Sequence, residues 1–317
     1  MRTATAVNLD ERLRSSEDLR VGAIPVDAPR VDLTNVTRLD QTPVKRAVPR
    51  TCRTIAITSG KGGVGKSNLV ANLAIGISRL GKSVLVLDAD LGMANLDVLF
   101  GVRPQHTLYH VIKGVKDLLD IIISGAPGVK FIAGGSGMRE LADLDAQQRS
   151  RILQKLESIE SYTDVFLIDT GAGLSSNVMS FVRSADEVLV VTTPEPTAMA
   201  DAYGVIKALH TESETFPQVS IIVNKVKKPE EGSLVAGRMI KVAKQFLDVD
   251  VTYAGYVLED RNVIRSVRAQ KPFMNLYPHT QASACVSNIV ARLFGVHGKS
   301  TKKTGISSMV RRIIGRS

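Results

Sequence analysis

The sequence predicts an α/β fold: a mostly parallel sheet flanked by helices on both faces. From Arg53 onward, short runs rich in Val, Ile and Leu alternate with stretches of helical periodicity. The runs are nearly continuous in apolar character, as strands buried on both faces must be. One strand-to-helix junction is a glycine-rich turn ending in Lys-Ser, the place where such folds hold phosphate. With 317 residues, 44% of them hydrophobic, the chain has material for one large domain with extensions.

Residues 1–50 come first and are read as a flexible extension. They mix charges of both signs with Pro25, Pro29, Pro43 and Pro49 and show no sustained periodicity beyond a short helical stretch at Asp10 to Leu19. The domain proper, residues 51–296, opens on a strand at Ile55 to Thr58, followed by the turn and a helix from Ser67 to Leu80. Further strands are expected at Ser83 to Leu87, Val129 to Ala133, Val165 to Ile168, Glu187 to Thr192, Val219 to Val223 and Val251 to Val257. Between them lie helices, notably Ala146 to Ile159, Ala198 to Leu209 and Gly232 to Phe246. Residues 297–317 form a basic linker and a short amphipathic stretch.

The turn Gly60-Lys61-Gly62-Gly63-Val64-Gly65-Lys66-Ser67 matches G-x-x-x-x-G-K-[ST] between a strand and a helix. Glycines leave room for backbone N–H groups to converge on phosphate oxygens, and the helix N-terminus adds a favourable dipole. Lys66 supplies a point charge to the β- and γ-phosphates and Ser67 a hydroxyl to Mg²⁺; Asn68 completes the nucleotide-binding set. Asp88 and Asp90 end the second strand, where a carboxylate can orient water toward a γ-phosphate. Asp169 follows four apolar strand residues and is positioned to hold Mg²⁺, directly or through water.

The second lysine of the turn, Lys61, makes Lys61 to Ser67 similar to the deviant Walker A motif of the MinD/ParA ATPases. The resemblance implies a P-loop NTPase fold, Mg-ATP as ligand, and a homodimer in which Lys61 reaches the other copy's nucleotide. It also marks Asp90 as the water-positioning residue, leaving Asp88 structural, and Thr170-Gly171-Ala172-Gly173 as a γ-phosphate-sensing switch. Asn224-Lys225 ends a strand where P-loop GTPases carry Asn-Lys-x-Asp, but Val226-Lys227 follows, so the guanine-reading carboxylate is missing. Asn224 is therefore carried over as an adenine contact.

Several segments resemble the FlhG/FleN (YlxH) branch, the MinD-like regulators of flagellar number and placement. They are Leu87 to Asp97, His106 to His110, Gly134 to Gly137, Ile168 to Gly173 and Thr192 to Ala198 with Asp201-Ala202-Tyr203. The resemblance spans about Arg53 to Leu293 and implies slow, partner-stimulated ATP hydrolysis, with an FlhF-type GTPase and flagellar assembly or regulatory proteins as partners. Members of the group often carry an N-terminal Asp-Gln motif that stimulates FlhF. Asp40-Gln41-Thr42-Pro43-Val44-Lys45-Arg46 echoes it loosely and departs at most positions.

Net charge is +10, and the last nineteen residues hold six Lys and Arg with no acidic residue. Ile306, Met309, Val310, Ile313 and Ile314 follow helical spacing, flanked by Arg311 and Arg312. Such a helix suits an anionic bilayer, placing the protein in the cytoplasm and peripherally on the inner membrane. The alternatives are a helix packed on the protein's own core, or a disordered tail.

Other classes fit less well. A partition or division-site ATPase of ParA or MinD type is the main alternative, with nonspecific DNA binding through basic patches. Specific nucleic-acid recognition is not expected: aromatics are 4% and there is no Trp for base stacking. Cys52 and Cys285 match neither a disulfide framework nor the bridging cysteines of iron–sulfur relatives.

Overall fold

A computed structural model describes residues 52–90, 95–134, 159–213, 216–295 and 305–314. The expected helix at Asp10 to Leu19, the Asp40 to Arg46 segment, Gly135 to Gly137, nearly all of the Ala146 to Ile159 helix and the basic Gly298 to Lys303 stretch lie outside these residues. The chain divides into two units, Met1–Arg46 and Ala47–Ser317, and all of the described elements belong to the second.

The sheet of this second unit has eight strands: β1 (Arg53–Ser59), β2 (Val84–Ala89), β3 (Ile123–Ala126), β4 (Val129–Ala133), β5 (Val165–Ala172), β6 (Glu187–Thr192), β7 (Gln218–Val226) and β8 (Val251–Leu258), in the spatial order β3-β4-β2-β5-β1-β6-β7-β8. Every neighbouring pair is parallel except β3 and β4. The helices are α1 (Lys66–Ser78), α2 (Leu96–Phe100), α3 (Leu108–Ile112), α4 (Ser176–Ser184), α5 (Pro196–Glu212), α6 (Pro229–Leu247), α7 (Arg261–Arg268), α8 (Phe273–Leu276), α9 (Gln281–Phe294) and α10 (Gly305–Ile314).

Strand alternation sorts the core onto two faces. Ile55, Ile57, Val84, Val86, Val165, Leu167, Leu189 and Val191 point toward α1 and α9. Leu85, Leu87, Phe166 and Ile168 point the other way, as do Val188, Val190, Val219 and Ile221, toward α4, α5, α6 and α10. Because both faces are covered, the strand centres are apolar on both sides, and most of the polar residues sit near the strand ends, which is why the centres read as continuous apolar runs. The sequence reading omits β3, a four-residue antiparallel edge strand. Its turn is Pro127-Gly128, with Gly128 at φ +74°, and that dipeptide is the signal that marks it.

Two further features position the chain. At the foot of β1, Arg53 forms a buried ion pair with Glu187 of β6, donates to the Leu293 carbonyl at 2.9 Å and lies over the Phe294 ring. At the C-terminus, most of the stripe that the sequence marks for a bilayer packs against the protein itself. Ile306, Met309 and Val310 are 0%, 1% and 9% exposed and join a cluster with Cys52, Leu85, Phe166 and Phe181, while Ile313 packs against its edge. Arg312 lies 3.5 Å from the carboxylate of Asp186, and Arg311 is exposed. Among the described residues no helix is long and apolar enough to cross a membrane.

Candidate nucleotide site

The β1-to-α1 turn is held open by its glycines. Gly63 and Gly65 adopt φ +78° and +91°, and a Cβ on Gly65 would meet the Asn224 Nδ2 at 2.4 Å. A Cβ on Gly60 would fall 2.2 Å from the backbone of Asp201 in α5. The turn therefore lies against two neighbouring elements, and its first N–H groups are left for a ligand. It forms one wall of a cavity of about 470 Å³, with Ala89, Asp90 and Asn95 on a second side and Gly171, Ala172, Ser175 and Asn177 on a third. Lys66, Ser67 and Asn68 all line it. The cavity stands at the carboxyl ends of β1, β2 and β5, where open parallel sheets bind ligands.

Beneath it lies a cluster of charge. Lys66 Nζ is 2.5 Å from Asp169 Oδ1, and the two side chains are 8% and 1% exposed. Parallel pairing of β2 with β5 puts Asp88 in register beside Asp169. Burial raises the Asp169 carboxyl above the ordinary range, against the pull of Lys66 and a hydrogen bond from Ser67. Asp88 is pushed up to about 7, first by burial and then by the charge of Asp169. Asp88 accepts from the Asp90 N–H at 3.2 Å and the Leu96 N–H at 3.3 Å. It therefore fixes the start of the Asp90 to Leu96 segment, the supporting role expected of it. Asp90 itself reaches the cavity beside Gly171.

The donor set fits Mg-ATP. A buried ammonium faces a buried carboxylate, a serine hydroxyl touches that carboxylate, and a row of loop amides opens beside them. Were a triphosphate bound, Lys66 would have a stronger anion to pair with, and Asp169 and Ser67 would be free to hold the ion.

Two of the expected residues lie elsewhere. Lys61 points to the rim: its Nζ contacts Glu195 Oε2 at 2.8 Å and Thr197 Oγ1 at 3.0 Å at the N-terminus of α5, and its side chain is 41% exposed. Asn224 braces the loop, donating from Nδ2 to the Val64 carbonyl at 2.7 Å. Beside it Lys225, at φ +56°, donates to the Gly63 carbonyl at 2.8 Å. Sequence reasoning did not assign roles to Lys225 and Glu195. Lys225 stands near the end of β7 and Glu195 at the N-cap of α5, but their contacts with the loop span more than a hundred residues of chain and leave no local pattern.

Comparison with known proteins agrees with this geometry. A family description, AAA domain, matches residues 52–220. The antiactivator FleN of Pseudomonas aeruginosa is 38% identical over 239 residues, covering 75% of this chain and 85% of that protein. The flagellum site-determining protein YlxH of Helicobacter pylori is 36% identical over 264 residues, covering 82% and 89%. Among solved structures, the septum site-determining protein MinD of Pyrococcus horikoshii, complexed with Mg-ADP, superposes with a TM-score of 0.61 at 26% identity, covering 78% of this chain and 98% of that one.

Proposed function

Because the chain belongs to the MinD/ParA family of P-loop ATPases, in its FlhG/FleN (YlxH) branch, we propose that it is an ATP-switched dimer that visits the membrane and sets flagellar number or placement. The observation that carries the dimer is Lys61. Its ammonium lies outside its own cavity, on an exposed rim, held by surface partners. An exposed ion pair of this kind is weak, because water screens it. A triphosphate presented by a second copy outcompetes it.

In the dimer each Lys66 would pair with the phosphates in place of Asp169, and Ser67 with Asp169 would hold Mg²⁺, which when bound supplies neutralising charge to the phosphate oxygens. Asp90 orients a water for in-line attack on the γ-phosphorus. The bond to the bridging oxygen then breaks, and ADP and phosphate leave. Asn224 braces the loop through the Val64 carbonyl, and its adenine contact rests on the family resemblance. The loss of the γ-phosphate contacts releases the dimer, so hydrolysis serves as a timer, sped by a partner such as an FlhF-type GTPase.

Membrane residence requires α10 to exchange its groove for a lipid surface, because one apolar stripe cannot occupy both. A dimer presents two such helices, and their joint binding exceeds that of one by far. Deletion of the gene in its source organism, followed by a count of flagella, tests the regulatory reading: a changed number or position is expected. A normal count with minicells or lost plasmids would instead favour the division or partition role. Flotation with anionic vesicles tests the membrane step. Arg311→Glu changes an exposed side chain and is expected to weaken binding about thirtyfold, since each charge near such a surface contributes about 1 kcal/mol and the reversal changes the charge by two. Flotation that is equal with and without vesicle charge would remove the step.

A further inference from the structure

The first turns of α1 contain a buried amide that the nucleotide chemistry above does not use. Asn72 is 0% exposed. Its Oδ1 accepts from the Met274 backbone N–H at 2.8 Å. Its Nδ2 donates to the Asn68 carbonyl at 2.7 Å and to Asn68 Oδ1 at 2.9 Å. Met274 is held at its other end too, because Arg79, at the end of α1, donates to its carbonyl at 2.6 Å.

A side-chain amide has one donor end and one acceptor end, and its partners decide which is which. Here the assignment propagates without ambiguity. The Met274 N–H can only donate, so the Asn72 atom facing it is the oxygen. The Asn72 nitrogen must then face Asn68, whose backbone carbonyl can only accept. Asn68 Oδ1 is thereby the atom turned to Asn72, and its Nδ2 is the end left over. Asn68 lines the nucleotide cavity one residue beyond Ser67.

We propose that Asn72 is a positioning residue for nucleotide binding: by fixing which way round the Asn68 amide sits, it makes Asn68 present N–H groups, and not a carbonyl oxygen, to the anionic end of the nucleotide. The inference rests on nucleotide binding in the loop cavity. The segment that opens α8 acts through it as a fixed reference, since the Met274 N–H sets the polarity of both amides. An Asn68 turned the other way would aim an acceptor oxygen at phosphate, a repulsive contact beside the loop amides and Lys66.

Titration of the full chain with MgADP, by calorimetry, tests this with Asn68→Ala, Asn72→Ser and the double variant. Each single change is expected to weaken binding about tenfold, and the double variant no further, because Asn72 acts only through Asn68. In steady-state hydrolysis KM for ATP rises by a similar factor while kcat stays within about twofold, as for a contact equal in ground and transition states. Multiplying effects in the double variant would overturn the proposal, as would an Asn72→Ser protein of lowered thermal stability and unchanged affinity. If Asn72→Ser does not fold, Asn68→Asp at the part-exposed position decides. It keeps the oxygen that Asn72 bonds but presents a carboxylate oxygen to the ligand, so it must bind more weakly than Asn68→Ala. Binding as tight as wild type overturns the idea. Absence of MgADP binding by the wild-type chain is a separate result and would remove the nucleotide site itself.

Discussion

Asp88 shows how a buried carboxylate serves a phosphate site without touching phosphate. It holds the chain that carries Asp90 through two backbone N–H groups, yet stands in register with Asp169, and two adjacent carboxylates cannot both ionise easily in a dry site. Its pKa near 7 in the fold, against an ordinary 3.8, makes a signed statement about stability. Above about pH 4 the unfolded chain gives up this proton while the folded, nucleotide-free protein keeps it. The contribution is complete below that point and declines as pH rises toward about 7. Urea unfolding across this window should show stability falling with pH in the wild type, and Asp88→Asn should flatten that slope. A slope unchanged by the substitution would assign it to other groups.

At the scale of elements, the strands were the easiest part to read and the contacts between distant elements the hardest. Seven of the eight strands stand out in the sequence because helices cover both faces, so each has an apolar centre and keeps most of its polar residues near its ends. Strand β3 escapes because it is short, at the edge, and carries Ser124 and Gly125. Helix α7 escapes for the opposite reason: of its eight residues only Ser266 is buried, so no apolar stripe announces it. The phosphate loop is legible because its chemistry is local, whereas the braces from Asn224, Lys225 and Glu195 exist only once the sheet has formed. Helix α10 is a different case. Its stripe reads the same whether it faces lipid or protein, and periodicity alone cannot choose. Docked as described, Met309 fills core space at 1% exposure, so Met309→Ala should lower unfolding free energy by about 2–5 kcal/mol, read by urea denaturation. A loss of only a few tenths would mean that the helix spends little time in its groove.

For the molecule as a whole, the site stands at one end of the sheet and the α10 groove reaches toward the other. Arg312 pairs with Asp186, just before β6, and Asp186 in turn accepts from Thr54 at the start of β1. The phosphate loop leaves the far end of that same β1. Nucleotide state and tail docking are thus properties of one small set of strands. In the proposed dimer Lys61 would leave Glu195, and light scattering with size-exclusion chromatography should find a dimer with MgATP for the wild type and a monomer for Lys61→Ala. A dimer of undiminished stability in the variant would place the interface elsewhere.

Cys52 lies fully buried in the cluster that Ile306 and Met309 complete. Its sulfur is therefore a reporter for the proposed membrane step: if α10 lifts onto a bilayer, Cys52 loses the cover of Ile306 and Met309 and should react faster with a thiol reagent when anionic vesicles are present.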